Sequence, residues 1–86
     1  MATRERMLDG NAIGGLLLEL FGSDLTAAPC VCGGCGAREE MARLDVYLDC
    51  PGVVVRCRHC GQVMLTIVRG PVRTWVDLGG TRGLEL

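Results

Sequence analysis

Cys32-Gly33-Gly34-Cys35-Gly36 and Cys57-Arg58-His59-Cys60-Gly61 repeat one pattern, Cys-x-x-Cys-Gly. Two residues between the cysteines allow a tight turn to aim both sulfurs at one ion, while turn N–H groups donate to the thiolates. The glycine after the second cysteine tolerates the positive φ that closes such a turn. Two knuckles together offer four thiolates, the donor set of a tetrahedral Zn²⁺ site. The 21 residues between Cys35 and Cys57 suit a hairpin that brings the knuckles together. The spacing therefore predicts one structural Zn²⁺ per chain on Cys32, Cys35, Cys57 and Cys60. Iron on the same four thiolates is the lesser alternative. Dithiol redox catalysis is disfavoured, because the second knuckle lies between two β-like runs and lacks the helix N-terminus that lowers a thiol pKa.

Two cysteines stand outside this pattern. Cys30 precedes Cys32 by two residues and reads as a bystander thiol. Cys50 lies in the turn Asp49-Cys50-Pro51-Gly52 and reads the same way. His59, inside the second knuckle, reads as a solvent-facing loop residue whose ring turns away if both flanking cysteines bind metal.

Several elements must position the knuckles. Ile13, Leu16, Leu17, Leu20 and Phe21 recur at helical period and predict a helix over 11–21. Asp9 or Asn11 can cap it, and Gly22 can stop it. Leu18 falls off the apolar stripe. Gly14 and Gly15 weaken the helix and can mark close approach of another element. The segment 23–29 reads as a connector, and Arg38-Glu39-Glu40 as a solvated segment. Ala42, Leu44, Val46 and Leu48 alternate with polar residues, which predicts a half-buried strand. Further strands are expected at Val53-Val54-Val55, at Val63-Leu65-Ile67 and at Thr74-Val76-Leu78, with residues 81–86 as a short tail. The fold expected is a small mainly-β zinc ribbon, with the N-terminal helix packed on an antiparallel β-meander. It forms a single domain over 1–86, its metal-bound β region spanning about 30–78.

The same alternation assigns a second sheet face. Arg43, Asp45 and Tyr47 share it on one strand, and Arg73, Trp75 and Asp77 on another, with Arg56 nearby. Arg43, Tyr47, Arg56, Arg73 and Trp75 could stack on bases and pair with phosphates. The competing expectation is that the N-terminal helix covers Tyr47 and Trp75.

Composition sets the remaining bounds. In 86 residues 49% are hydrophobic, enough for a core but one small enough to need a staple. The net charge of -1 excludes a strongly basic or acidic tail, although residues 1–50 carry -4 and residues 51–86 carry +3. No signal-peptide pattern or membrane-spanning run is evident, so a cytoplasmic location is expected, where clustered cysteines favour metal over disulfides. No catalytic constellation appears. The only histidine is in a knuckle, no phosphate-binding glycine loop is present, and four cysteines leave a metal no open position. A non-catalytic module that binds a protein partner is the leading expectation. A nucleic-acid-binding ribbon, or a protein that handles metal or redox equivalents, is the alternative. A membrane or a small-molecule substrate is not expected.

Taken together, these residues resemble a group of short proteins of unknown function from high-GC, actinobacterial-type genomes. The resemblance rests on Leu8-Asp9-Gly10-Asn11-Ala12, Asp24-Leu25-Thr26-Ala27-Ala28, both knuckles, Pro51-Gly52, Arg73-Thr74-Trp75-Val76-Asp77-Leu78 and Leu84-Glu85-Leu86. It implies no established activity. A narrower resemblance to zinc ribbons rests on Cys32, Cys35, Cys57 and Cys60 and implies a metal site at those positions. Zinc ribbons as a class often contact nucleic acid or larger protein machines.

Overall fold

Of the two cap candidates it is Asp9 that starts the helical segment, whose first turn is 3₁₀, so the α-helix is shorter than the 11–21 expected. The Asp9 side chain accepts from the Asn11 N–H at 3.1 Å and caps a 3₁₀ turn, Gly10–Ile13. The α-helix α1 follows over Gly14–Phe21 and ends at Gly22, whose φ of 75° is the left-handed stop. Ile13 and Leu17 are buried, and Leu18 is half exposed. The computed structural model describes residues 7–48 and 52–85. The expectations for Cys50 and for the Asp49–Pro51 part of its turn lie outside the described residues.

Among the described residues, eight strands form two antiparallel sheets. They are β1 (Met7–Asp9), β2 (Pro29–Cys32), β3 (Arg38–Glu40), β4 (Asp45–Tyr47), β5 (Gly52–Arg56), β6 (Val63–Arg69), β7 (Thr74–Asp77) and β8 (Thr81–Leu84). The larger sheet runs β1-β4-β5-β6-β7, and the smaller runs β3-β2-β8. The described residues are thus mainly β, with one short α-helix and a four-cysteine cluster consistent with a zinc ribbon.

Three local expectations are corrected. The alternation at Ala42–Leu48 yields only the short β4, because Met41–Arg43 is a 3₁₀ turn. Its backbone is committed elsewhere: Met41 N–H donates to Ala28 O at 2.9 Å and Ala42 N–H to Thr26 O at 2.8 Å. Arg38–Glu40 is a strand, since the chain leaving the first knuckle must pair back onto β2, with Cys30 opposite Glu39. Residues 81–84 are β8 and no tail. They pair with β2 on its other side, Cys30 opposite Leu84, and Glu85 N–H extends the contact to Pro29 O at 2.9 Å.

One core joins the sheets. Ile13 and Leu17 of the helical segment pack with Val46, Val55 and Ile67 of the larger sheet and with Cys30 of the smaller. Among the described residues no buried side-chain polar atom lacks a hydrogen-bond partner. The two helix glycines differ. A Cβ at Gly14 would lie 3.1 Å from the Thr26 methyl, whereas at Gly15 nothing lies within 4 Å. Gly15→Ala is therefore expected to raise stability by about 0.5–1 kcal/mol, because alanine loses less backbone entropy in a helix. A urea-unfolding midpoint that rises at constant slope would show it.

Candidate metal centre and the exposed sheet face

Each knuckle sits on a hairpin. Cys32-Gly33-Gly34-Cys35 joins β2 to β3, and Cys57-Arg58-His59-Cys60 joins β5 to β6. The two share one hydrogen-bond scheme. Cys32 N–H donates to Ala37 O and Cys57 N–H to Gln62 O, both at 2.9 Å. Gly36 N–H closes on Cys32 O at 3.0 Å, and Gly61 N–H on Cys57 O at 2.9 Å. Gly36 and Gly61 take φ of 77° and 80°, so the Cys-x-x-Cys-Gly pattern is a requirement of backbone geometry. Gly34 N–H points at Cys32 Sγ and His59 N–H at Cys57 Sγ, each at 3.3 Å, placing donors where thiolate charge would reside.

All four Sγ atoms lie within 4.8 Å of one another. Cys32 Sγ is 3.7 Å from Cys60 Sγ, and Cys35 Sγ is 3.7 Å from Cys57 Sγ. These distances exceed any disulfide bond. They match the edge of a tetrahedron with Zn–S bonds of about 2.3 Å, which is roughly 3.8 Å. Cys32 and Cys57 are buried, while Cys35 and Cys60 face outward. The four residues fit a metal ion.

The protonation equilibria point the same way. The Cys35 N–H is the largest influence on Cys32 and, with Gly34 N–H and the Cys60 and Cys35 thiols, lowers its pKa to about 6 against desolvation. At Cys60 the Gln62 N–H favours the thiolate. Desolvation and the neighbouring thiols of Cys32, Cys35 and Cys57 outweigh it and raise the pKa to about 11. Four sulfurs this close cannot all carry charge without a cation between them.

The residues flanking the site have other tasks. Cys30 is buried and its thiol points to Ala28 O at 3.6 Å, with its pKa raised to about 11 by desolvation. It packs in the core and does not join the cluster. Cys30→Ala is expected to leave the metal stoichiometry unchanged while costing about 1 kcal/mol of packing. Metal analysis beside a denaturant titration separates the two effects. His59 turns from the sulfurs to Glu39, with Nε2 and Oε2 2.9 Å apart. This cross-hairpin pair gives Glu39 a specific partner that its reading as a solvated residue missed.

The sheet places the five candidate face residues unequally. Tyr47, Val54, Thr66 and Asp77 form one row across β4 to β7, on the face opposite Val46, Val55 and Ile67. The Arg56 guanidinium sits 5.7 Å from the Tyr47 ring centroid and donates to Gly61 O at 2.8 Å. Trp75 shares this face, opposite Val68, and is 67% exposed. The helix packs against the other face and does not cover Trp75, contrary to that expectation. Tyr47 and Trp75 are three strand spacings apart across the sheet, about 14 Å, and two residues apart along it, so they form two separate contacts. Arg43 lies outside the sheet, in the turn before β4, 3.9 Å from Glu40. Arg73 lies in the turn of the β6–β7 hairpin, where its carbonyl accepts from Gly70 N–H at 2.8 Å.

The fold and site define a class: a small, mainly-β protein with a cluster of four cysteines that could hold a metal ion, consistent with a zinc ribbon. More particularly, the chain belongs to DUF6510, a family of unknown function, whose model matches residues 3–86. No curated protein and no solved structure matches it significantly. No helix among the described residues is long and apolar enough to cross a membrane.

Proposed function

We propose that the chain is a non-catalytic binding module. In this reading one structural Zn²⁺, held by Cys32, Cys35, Cys57 and Cys60, fixes the two hairpins in a reducing, cytoplasmic compartment. The outer face of the larger sheet then contacts a protein partner. Zn²⁺ bound by four thiolates has no open position for a substrate, which favours a structural role over catalysis.

The observation that carries the partner assignment is the exposed Trp75 on a mixed-charge face. Asp77 lies beside it and Asp45 lies on the same face beyond Tyr47. Four thiolates and one Zn²⁺ would take the formal charge from -1 to -3. Both features disfavour a polyanion and suit a protein surface, where an aromatic anchor and Arg side chains dominate contact energy. The test is an affinity capture from native lysate, with and without nuclease, using the wild-type chain and Trp75→Ser. A protein recovered from both halves and lost with Trp75→Ser supports the proposal. Recovery only without nuclease overturns it in favour of nucleic acid bound through Arg56, Tyr47 and Trp75.

A further inference from the structure

We infer that two copies of this chain pair through β7, edge to edge, about a two-fold axis passing beside Trp75. β7 is the last strand of the larger sheet, and no described strand covers its outer side. The hairpin fixes which backbone groups are available. Gly70 N–H donates to Arg73 O at 2.8 Å, and the register continues without a bulge through Val68 opposite Trp75 and Thr66 opposite Asp77. In an antiparallel ladder, hydrogen-bonded pairs alternate. Arg73, Trp75 and Asp77 therefore spend their backbone groups on the hairpin partner, while Thr74 and Val76 direct theirs to the open edge.

The sequence Arg73-Thr74-Trp75-Val76-Asp77 is self-complementary about Trp75. In an antiparallel pairing centred there, Thr74 of each copy lies opposite Val76 of the other, and these two residues hold the outward donors and acceptors. Trp75 lies opposite Trp75 as a non-hydrogen-bonded pair, the geometry that brings side chains closest. Arg73 lies opposite Asp77 on both sides of the tryptophans, and all six side chains share the outer face. Arg73 makes no ion pair among the described residues. Asp77 uses Oδ1 for Gly79 N–H at 2.8 Å, leaving Oδ2 for a guanidinium. A two-fold interface requires this kind of self-match, and an edge strand without it is a site of uncontrolled pairing. The inference does not depend on what the outer face binds. Dimerisation would double that face into one continuous surface.

Sedimentation of the purified, metal-loaded chain over a concentration series tests the pairing. Trp75 is the only tryptophan, so its fluorescence reports the same event independently. A concentration-dependent dimer with a matching blue shift is expected. Arg73→Asp, which sets like charges opposite each other twice, should weaken dimerisation by about tenfold or more. Circular dichroism and metal content should stay unchanged, because Arg73 is exposed. Adding Asp77→Arg to Arg73→Asp restores the charge match and should recover most of the affinity. A chain that stays monomeric throughout overturns the inference. So does an Arg73→Asp variant that dimerises like the wild type, or a double variant no better than the single one.

Discussion

Removing the metal, or replacing Cys57 with serine, is expected to unfold the protein. The two knuckles belong to different sheets, Cys32 ending β2 and Cys57 following β5. A metal on all four sulfurs therefore ties the sheets together at one end. Structural zinc contributes an apparent ~10–16 kcal/mol in small peptides, as much as the ~5–15 kcal/mol that stabilises a whole domain. Without it, a short helix and strands of three to seven residues must hold themselves. Chelation should abolish the near-ultraviolet circular dichroism and the cooperative thermal transition, and zinc alone should restore both. Acid should act like chelator. All four sulfurs must bind as thiolates, so protons compete with the metal and its affinity falls as pH falls. A Cys57→Ser variant that keeps one equivalent of metal and a cooperative transition would overturn the ligand set.

What was readable in the sequence is what depends on local geometry. The knuckles could be found because their glycines are required within five residues, and Gly36 and Gly61 carry the positive φ that their positions imply. The helix could be read from its stripe, and its cap from Asp9. β6 and β7 were visible because they alternate and are bounded by turns, and β5 because Val53-Val54-Val55 is a β-branched run. The smaller sheet was not. β2 is Pro29-Cys30-Val31-Cys32, whose cysteines draw attention as ligands, and β3 is Arg38-Glu39-Glu40, whose charges read as solvent-exposed loop. Neither has a strand's composition. They are strands because the knuckle between them reverses the chain and aligns their backbones. β8 is set by a partner about fifty residues earlier in the chain, which no local window contains. The face containing Trp75 was identified by parity alone. Parity could not show that Tyr47 and Trp75 stand three strands apart on it.

The second large effect is expected at Gly80, which no motif marks. Gly80 is where the chain leaves the larger sheet for β8, and the backbones meet there without room for a side chain. A Cβ would lie 1.9 Å from Val63 O and 3.0 Å from Met64 Cα. Both are backbone atoms of β6, so no rotamer change relieves the clash. Gly80 O accepts from Gly33 N–H at 2.9 Å, inside the first knuckle, and from Gln62 Nε2 at 3.3 Å, just beyond the second. Next to it, Thr81 Oγ1 donates to Met64 O at 2.8 Å. One carbonyl thus ties the first knuckle to the residue that follows the second. Gly80→Ala must push β8 away from β6 and take Gly33 with it. Overpacking usually costs 1–3 kcal/mol where side chains can adjust, so a clash with fixed backbone should cost about 3 kcal/mol or more. Because the displaced residue belongs to a knuckle, metal affinity should fall with stability. Competition with a chromophoric chelator measures that loss directly. Gly83→Ala is the control: it lies three residues further on, within β8, and nothing lies within 4 Å of its Cβ. It should stay within about 0.5 kcal/mol of the wild type and hold its metal as tightly. If the two alanines behave alike, the contact between Gly80 and β6 is not what holds the second sheet in place.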